Sequence, residues 1–293
     1  MAHISVLLGE AIDGLKVKAG DVFLDGTVGS GGHSAKVCSS HKNIRLIGFD
    51  LDPEAIVRAR EKVASAGCDI TLYNDNFRNA KNVLGKTNSV NAILLDLGTS
   101  SPQIDDSGRG FSFMRDEPLY MTLGAPSEGT LTAEEVVNTW AEESLADIIY
   151  GYGEERFARK VAKAIVDARE IAPIKTTLQL ADIVKSAIPA RFRSHRINPA
   201  TKTFQAIRIA VNDELGSLKD GLAGAIELLA PEGRIAVISF HSLEDRIVKR
   251  FFDGLEKSDV GVRITKKPIV PTQKEILSNP RSRSAKLRIF QKA

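Results

Sequence analysis

The sequence predicts an α/β fold with a doubly wound, mainly parallel sheet that is interrupted by an inserted helical subdomain. Short apolar runs alternate with amphipathic stretches over the first hundred residues, a pattern typical of βαβ units. From about residue 109 the sequence changes to polar loops and helical patterns, and strand-like runs resume near residue 234. Hydrophobic residues make up 43% and charged residues 26% of the 293-residue chain, as in globular proteins that bury a full core.

The individual elements follow from these runs. Strands are predicted at residues 22–24, 45–49, 70–73, 91–95, 234–240 and 286–290. Helices are predicted at residues 34–39, 54–66, 154–169, 203–230 and 244–255, with a turn at 231–233. The chain then divides into the first part of a sheet domain (1–108), a helical insert for substrate recognition (109–199) and the second part of the sheet domain (200–293).

Charge, cysteine content and the N-terminus limit the function classes. The net charge is only +3, so any affinity for a polyanion must come from local clusters of basic residues. Cys38 and Cys68 lack the number and spacing of a disulfide framework or a zinc site, so we expect free thiols and no metal. The apolar run near the N-terminus is too short to span a bilayer and lacks the features of a signal peptide. A cytoplasmic location without membrane contact is expected.

A glycine-dense turn, Asp25-Gly-Thr-Val-Gly-Ser-Gly-Gly32, follows the first predicted strand. Glycines let a backbone approach a ligand closely. Two more acids, Asp50 and Asp96, end the second and fourth predicted strands. Ligands of open α/β sheets bind outside the carboxyl ends of the strands, so the three acids are expected to converge on one cofactor. S-adenosylmethionine would use all three, whereas the turn departs from the G-x-G-x-x-G of NAD(P) sites; for each acid singly, a helix N-cap is the alternative.

Seven motifs occur in order along nearly the whole chain. They are His3-Ile-Ser-Val-Leu-Leu8, Asp25-Gly-Thr-Val-Gly-Ser-Gly-Gly-His33-Ser34, Leu94-Leu-Asp-Leu-Gly-Thr-Ser-Ser-Pro-Gln103, Arg109-Gly-Phe-Ser-Phe-Met-Arg115, Tyr152-Gly-Glu-Glu-Arg-Phe-Ala158, Pro199-Ala-Thr-Lys-Thr-Phe-Gln-Ala-Ile-Arg208 and Ser239-Phe-His-Ser-Leu-Glu-Asp-Arg246. Together they resemble the RsmH/MraW family of bacterial methyltransferases, which modify the exocyclic N4 amine of a cytidine in 16S ribosomal RNA. The resemblance implies a class I Rossmann-like methyltransferase fold, S-adenosylmethionine as cofactor, and 16S ribosomal RNA or the small ribosomal subunit as partner.

The resemblance also implies which residues contact the cofactor. They are Gly31, Gly32, His33, Asp50, Phe77, Asp96 and Gln103. Taken alone, His33 would more often begin a helix, and Phe77 would usually be a core residue. One stretch departs from the family pattern: Tyr120 and Thr122 stand where the family has an acid and a base. This departure bears on the substrate more than on the cofactor.

The implied reaction needs help from the protein, because the lone pair of the cytosine amine is delocalised into the ring. A polar group must accept an amine hydrogen while the reacting atoms are held in line. The candidates are Asp96, Ser100, Ser101 and His241. His241 has a structural alternative, since Ser242 and Asp245 resemble a capping box directly after it.

Two basic segments, residues 189–208 and 279–292, are candidates for RNA contact. The candidate residues are Arg191, Arg193, Arg196, Lys202, Arg208, Arg281 and Arg283. Phe192 and Phe204 interleave with the first group and are candidates for stacking on unpaired bases. A solvated basic loop is the alternative for each segment. The target cytidine would have to be unstacked to reach the methyl group.

We therefore expect an S-adenosylmethionine-dependent methyltransferase that acts on a cytidine N4 amine in the decoding region of 16S ribosomal RNA. Two alternatives stay open at this point. One is a methyltransferase of the same fold that acts on another RNA or on a small-molecule amine. The other is an S-adenosylmethionine-binding assembly factor with weakened catalysis. A homodimer is left open as well.

Overall fold

The computed structural model describes residues 4–85, 89–193 and 198–293. The strands are β1 Val22–Asp25, β2 Arg45–Phe49, β3 Asp69–Tyr73, β4 Val90–Asp96, β5 Leu229–Ser239, β6 Gly261–Arg263 and β7 Lys286–Lys292. The helices are α1 Leu8–Leu15, α2 Gly32–Ser40, α3 Pro53–Ala64, α4 Ala80–Leu84, α5 Ser101–Asp105, α6 Ala133–Thr139, α7 Glu142–Gly151, α8 Ala158–Ile171, α9 Thr177–Ala187, α10 Thr201–Asn212, α11 Glu214–Leu228, α12 Ser242–Lys257 and α13 Gln273–Ser278. No helix in the described ranges is long and apolar enough to cross a membrane.

The chain forms two compact units. The sheet unit comprises Met1–Gly98 with Leu215–Ala293, and the helical unit comprises Thr99–Glu214. The sequence analysis placed the corresponding boundaries at 108/109 and 199/200. Helix α10 falls within the helical unit because its apolar face, including Phe204 and Ile207, is part of that unit's core.

The strands of the sheet unit run in the order β3-β2-β1-β4-β5-β7-β6. Strands β1 to β5 pair in parallel, and β7 pairs antiparallel with both β5 and β6. The predicted doubly wound α/β fold is therefore confirmed. The strand order reverses between β1 and β4, since β2 and β3 extend the sheet on one side of β1, and β4 and β5 extend it on the other. The carboxyl ends of β1 and β4 are therefore the topological switch point, where such sheets bind ligands.

Both faces of the sheet are covered. Phe23 and Leu46 belong to a core cluster on one face, whereas their neighbours Leu24 and Ile47 belong to a cluster on the other. This alternation follows from the two-residue period of a strand. Because both faces are buried, the strands are short continuous apolar runs, which is why the sequence showed them clearly.

Two predicted elements are wrong, and a short strand was not predicted. The single helix predicted at 203–230 is wrong: α10 and α11 are separate, because Asp213 between them adopts a left-handed conformation with φ 45°. The turn predicted at 231–233 lies inside β5, where the pairing with β4 shifts register between Val90 and Ala92. Strand β6 was not predicted, since its three residues are too few to show a period.

The helical unit has its own core. On α8, Val161 and Ile165 are fully buried, as the predicted apolar stripe required. The third residue of that stripe, Phe157, is the N-cap of the helix and is half-buried. The unit therefore packs around the apolar faces of α6 to α10.

The two cysteines correct the sequence interpretation. Cys38 and Cys68 form a disulfide, with their Cα atoms 5.5 Å apart. The expectation of free thiols is wrong because it judged sequence spacing alone. Cys38 lies on α2, and Cys68 directly precedes β3, so two positions 30 apart in the sequence meet in the fold.

This disulfide should be detectable in solution. Protein purified without reductant and alkylated after denaturation should carry no alkyl groups by mass spectrometry. Cys38→Ser should lower the free energy of urea unfolding by about 3 kcal/mol, because a cross-link restricts the unfolded chain. Ser40→Ala on the same helix is the matched control. Two alkylated thiols in the oxidised protein would contradict the assignment.

Candidate functional site

The glycine-dense turn lies at the switch point of the sheet unit and is bonded to the strands on both sides. The Gly26 N–H donates to the carbonyl oxygen of Leu94 on β4 at 2.9 Å, and the Val28 N–H donates to that of Phe49 on β2 at 2.9 Å. The Asp96 N–H donates to the Thr27 hydroxyl at 2.6 Å. The protein's own hydrogen bonds therefore fix the course of this turn.

The predicted cofactor residues Gly31 and Gly32 have a packing role in addition. Gly31 is the N-cap of α2 with φ 73°, and a Cβ there would lie 3.1 Å from the Cα of Ala59 on α3. A Cβ on Gly32 would lie 2.0 Å from the Ser5 hydroxyl oxygen. A side chain at either position would separate α2 from its neighbours. Glycine thus keeps the start of α2 close to the strand ends.

Asp50, at the end of β2, is held by two backbone donors. Its Oδ2 accepts from the Gly29 N–H at 2.8 Å, and its Oδ1 accepts from the Asp52 N–H at 2.9 Å. Burial raises the pKa of Asp50 to about 6, so the group is ionised at neutral pH. Each carboxylate oxygen can accept a second hydrogen bond. The remaining lone pairs suit the two hydroxyl groups of a ribose.

Asp25 has a different role from the one expected. Its side chain is only 1% exposed and accepts from the Ser34 hydroxyl at 2.6 Å and from the Thr27 N–H at 3.2 Å. Burial raises the pKa of Asp25 to about 6. This carboxyl group braces the turn against α2, so the expectation that it meets the cofactor together with the other two acids is replaced by a supporting role.

Asp96 and His33 face each other across the switch point. His33 Nε2 lies 3.0 Å from the carbonyl oxygen of Val6 and donates to it when protonated, which leaves Nδ1 facing Asp96 Oδ2 at 3.7 Å. The Asp96 side chain is 22% exposed, yet its Oδ1 atom is buried and has no hydrogen-bond partner among the described residues. Burial, together with the charges of Asp25 and Glu244, raises the pKa of Asp96 well above its ordinary value.

This oxygen is the strongest local sign of a polar ligand. A buried acceptor without a donor costs about 1–3 kcal/mol, and native structures rarely leave one. A ligand with an N–H or O–H group at this position would supply the missing donor. The carboxylate acceptors of Asp50 and Asp96 and the glycine turn thus fit a nucleoside cofactor with a cationic end.

Phe77 was predicted to contact the cofactor, with a core residue as the alternative. It follows β3, and its ring packs so closely on Gly221 of α11 that a Cβ there would lie 2.3 Å from the ring. It also borders the turn, since a Cβ on Gly26 would lie 3.1 Å from the Cβ of Phe77. The residue is half-buried, and the ring face against Gly221 belongs to the core. Its contact with a cofactor stays a prediction.

His241 is the N-cap of α12. Its Nδ1 accepts from the Glu244 N–H at 3.4 Å, and Glu244 Oε2 accepts from the His241 N–H at 3.2 Å and from the Phe240 N–H at 2.8 Å. The expected capping box of Ser242 and Asp245 is therefore wrong by one residue. The side chain of Asp245 instead pairs with Arg288 at 2.7 Å.

Glu244 is a buried residue of this site that the sequence analysis missed. It is 3% exposed, and its Oε1 lies 3.2 Å from His241 Nε2. With Nδ1 accepting a hydrogen bond, the proton of a neutral His241 resides on Nε2. A glutamate three residues after the N-cap is the usual signal for such a box, but histidine is not among the preferred N-cap residues.

The predicted residues Ser100, Ser101 and Gln103 share one turn at the start of the helical unit. Ser100 is the N-cap of α5; its hydroxyl accepts from the Gln103 N–H at 3.4 Å, and Gln103 Oε1 accepts from the Ser100 N–H at 2.8 Å. Gln103 Nε2 donates to the carbonyl oxygen of Leu123 at 3.3 Å. Ser101 is the first residue of α5. Their roles with cofactor and substrate stay predictions.

The stretch that departs from the family pattern is held by its backbone. The Arg109 guanidinium donates to the carbonyl oxygens of Thr122, Leu123 and Gly124 at 3.2, 2.8 and 3.0 Å. Asn212 Nδ2 donates to the carbonyl oxygen of Met121 at 2.8 Å. None of these bonds needs the side chain of residue 120 or 122, so replacing the acid and base leaves this scaffold intact.

Several predicted RNA-contacting cations of the helical unit are bonded within it. The Arg193 guanidinium donates to the carbonyl oxygen of Ile188 at 2.8 Å, Lys202 Nζ donates to that of Glu154 at 2.8 Å, and Arg208 binds both carboxylate oxygens of Glu214 at 2.7 and 2.9 Å. Arg191 lies over the ring of Phe192. Arg196 lies outside the described residues.

The remaining basic and aromatic candidates for RNA contact differ in their exposure. Arg281 and Arg283 are exposed in a 3₁₀ turn, Pro280–Ser284, of the sheet unit. Phe204 is only 4% exposed and packs edge-on against Phe113. The expectation that Phe204 stacks on an RNA base is wrong, because it lies on the apolar face of α10.

Comparison with known proteins agrees over the full length of the chain. The family model of the MraW methylase family matches residues 1–293. Proteins named ribosomal RNA small subunit methyltransferase H are similar to this chain. The one from Paenibacillus sp. (strain JDR-2) is 45% identical, with 99% of each chain covered. The one from Deinococcus deserti is 49% identical, with 98% of this chain and 92% of the relative covered. The chain therefore belongs to the MraW methylase family.

Proposed function

We propose that this chain transfers the methyl group of S-adenosylmethionine to the N4 amine of a cytidine in the 16S RNA of the small ribosomal subunit. Membership of a methylase family and relatives named for ribosomal RNA of the small subunit support the reaction and the substrate class. The observation that carries the proposal is the pair of strand-end acids, Asp50 and Asp96, at the switch point. A cytoplasmic location follows from the proposed substrate.

The sheet unit's residues have distinct parts in holding the cofactor. Asp50 would accept hydrogen bonds from the ribose hydroxyls, since each of its oxygens already has one backbone donor and room for one more. The glycines at 31 and 32 keep the start of α2 near the ligand. The bound cofactor supplies an electrophilic methyl group on a positively charged sulfur. Negative carboxylates at the strand ends favour that charge.

The amine that gains a methyl group must release a proton. Asp96 suits this task, because burial raises its pKa and so makes its carboxylate a stronger base than an ordinary one, and because its Oδ1 lacks a donor among the described residues. When Nε2 carries the only proton of His33 and donates it to Val6, Nδ1 presents a lone pair 3.7 Å from Asp96 Oδ2, so His33 faces the protonated Asp96 as an acceptor. Ser100, Ser101 and His241 remain proposed helpers in orienting the amine, and Gln103 and Phe77 remain proposed cofactor contacts.

The Asp50 assignment predicts a pH-dependent affinity for S-adenosylmethionine. Affinity should fall as the pH drops through about 6, because protonation of Asp50 removes the carboxylate acceptor. Asp50→Asn should bind about tenfold more weakly at pH 7.5 and should show a smaller pH dependence than the wild-type protein. Calorimetry at pH 7.5 and 5.5 measures both effects. The exposed Asp69 at the start of β3 offers the control Asp69→Asn.

Unfolding does not mimic this result. Since the folded-state pKa values of Asp25 and Asp50 are raised above 3.8, protonation of these groups stabilises the fold as the pH falls from 6 towards 4. An affinity for S-adenosylmethionine that is equal at both pH values in wild-type protein would contradict the role given to Asp50.

The Asp96 assignment predicts a loss of turnover with a changed pH profile. Asp96→Asn should lower kcat by about 100-fold or more, and the acid limb of the kcat profile should disappear because the titrating group is gone. Single-turnover methyl transfer with saturating cofactor measures both quantities. Asp69→Asn is again the control. A wild-type profile in Asp96→Asn would remove Asp96 from the chemical step.

The substrate assignment has its own experiment. Small-subunit RNA from cells that lack the gene should acquire one methyl group on a cytidine when it is incubated with the protein and S-adenosylmethionine. Mass mapping of nuclease fragments should locate the methyl group on the N4 amine. An unchanged set of methylated cytidines, with or without the gene, would contradict the proposal and favour another amine substrate or a non-catalytic role.

A further inference from the structure

The helical unit carries an exposed surface of arginines stacked on an aromatic ring, which we call the α8 arginine surface. It consists of Arg156, Arg159, Lys160, Arg191 and Phe192. The Arg156 guanidinium lies 4.0 Å from the centre of the Phe192 ring, and the Arg191 guanidinium lies 4.8 Å from it. Phe192 is nevertheless 40% exposed. A large aromatic side chain and several cations thus meet at the protein surface.

The charges of this surface are not balanced locally. The segment from Arg156 to Lys163 contains four cations and no acid. Among the residues that the structure describes, no carboxylate forms an ion pair with Arg156, Arg159 or Lys160. Lys163, one turn further along α8, is different because it pairs with Asp167 at 2.8 Å. The positive charge at the first turn of α8 is therefore not neutralised within the described residues, and it can attract an anionic partner.

An open cleft next to this turn is lined by both cations and acids, and the cations are in excess. Arg159 and Lys160 line it together with Lys163, Glu142 and Asp167. Three cations face two acids, and one of those acids is already paired with Lys163. The excess positive charge belongs to Arg159 and Lys160.

The stacked arginines are arranged for recognition. A guanidinium held over an aromatic ring is partly immobilised before it binds, and its N–H groups remain available for phosphate oxygens. Unpaired RNA bases stack on aromatic rings and on guanidinium planes. By contrast, Arg193, Lys202 and Arg208 donate to acceptors of their own unit. Arg156, Arg159 and Lys160 around α8 donate no hydrogen bond to an acceptor among the described residues.

We propose that the α8 arginine surface binds an unpaired segment of the RNA substrate. Arg156 and Arg191, supported by Phe192, stack on a base, while Arg159 and Lys160 contact neighbouring phosphates. This proposal rests on the proposed function, since it assigns a contact surface for the same RNA. It adds Arg156, Arg159 and Lys160 to the substrate-contacting residues.

Two variants separate the charge and stacking contributions. Arg159→Glu combined with Lys160→Glu removes two phosphate contacts, and Phe192→Ala removes the support for stacking. The control is Lys175→Glu, an exposed cation before α9 in the same unit. Calorimetry with S-adenosylmethionine and thermal unfolding of each variant show whether both units remain folded. The RNA probe is a fluorescein-labelled oligouridine followed by anisotropy over a series of salt concentrations.

The double charge reversal should weaken oligouridine binding about tenfold relative to the control and lower the slope of log K against log salt by about 1.4, since each phosphate contact of a single strand contributes about 0.7. Phe192→Ala should weaken binding about fivefold or more with little change in slope. S-adenosylmethionine affinity should not change in either variant. Oligouridine affinities within about twofold of Lys175→Glu in both variants would overturn the proposal.

A methyl-transfer measurement keeps this proposal distinct from the proposed function. If wild-type protein methylates small-subunit RNA and both variants match the control in kcat/KM and in oligouridine affinity, the α8 surface is refuted and the function stands. If wild-type protein transfers no methyl group to this RNA, the proposed function fails. A poly-glutamate peptide that binds the surface more tightly than oligouridine would indicate an acidic protein partner and would also overturn the RNA assignment.

Discussion

The parallel pairing of β1 with β2 and β4 is the constraint on which the site depends. Leu24 lies opposite Ile47 on one side and Ile93 on the other, and all three side chains are buried. A slip by one residue would turn apolar side chains from one buried face to the other and break the packing of both. The register therefore determines where each strand ends, and with it the positions of Asp50 and Asp96.

Burying acids at these strand ends opposes folding. The shift in the pKa of Asp25 from 3.8 to about 6 corresponds to about 3 kcal/mol of unfavourable free energy for the charged group. The glycine turn, the hydroxyl of Ser34 and backbone N–H groups offset part of this cost. Asp96 has less compensation among the described residues, because its buried Oδ1 accepts no hydrogen bond from them. Burying these acids thus lowers the stability of the fold locally, and it fixes negative charge at the strand ends before a ligand binds.

Sequence reasoning succeeded where a local pattern is coupled to a general rule of the fold. Strands buried on both faces are visible as apolar runs, and the rule for open sheets then places Asp50 and Asp96 together. It failed where partners are remote in sequence. The disulfide of Cys38 and the buried face of Phe204 both depend on neighbours that only the folded chain supplies.

The basic residues show the same limit. Their sequence reveals a run of one sign of charge but not which cations are bonded internally. Arg208 was predicted to contact RNA, but it binds Glu214. Arg156 was given no role, although its exposed guanidinium lies over the ring of Phe192. Charge content alone could not have distinguished the two.

The most direct measurement of the central claim is a crystal structure with S-adenosylhomocysteine bound. We expect both ribose hydroxyls to donate to the Asp50 carboxylate, and an N–H or O–H group of the ligand, or an ordered water bound to the ligand, to donate to Asp96 Oδ1. A ligand bound away from the carboxyl ends of β1, β2 and β4, with Asp96 Oδ1 still unpaired, would contradict it.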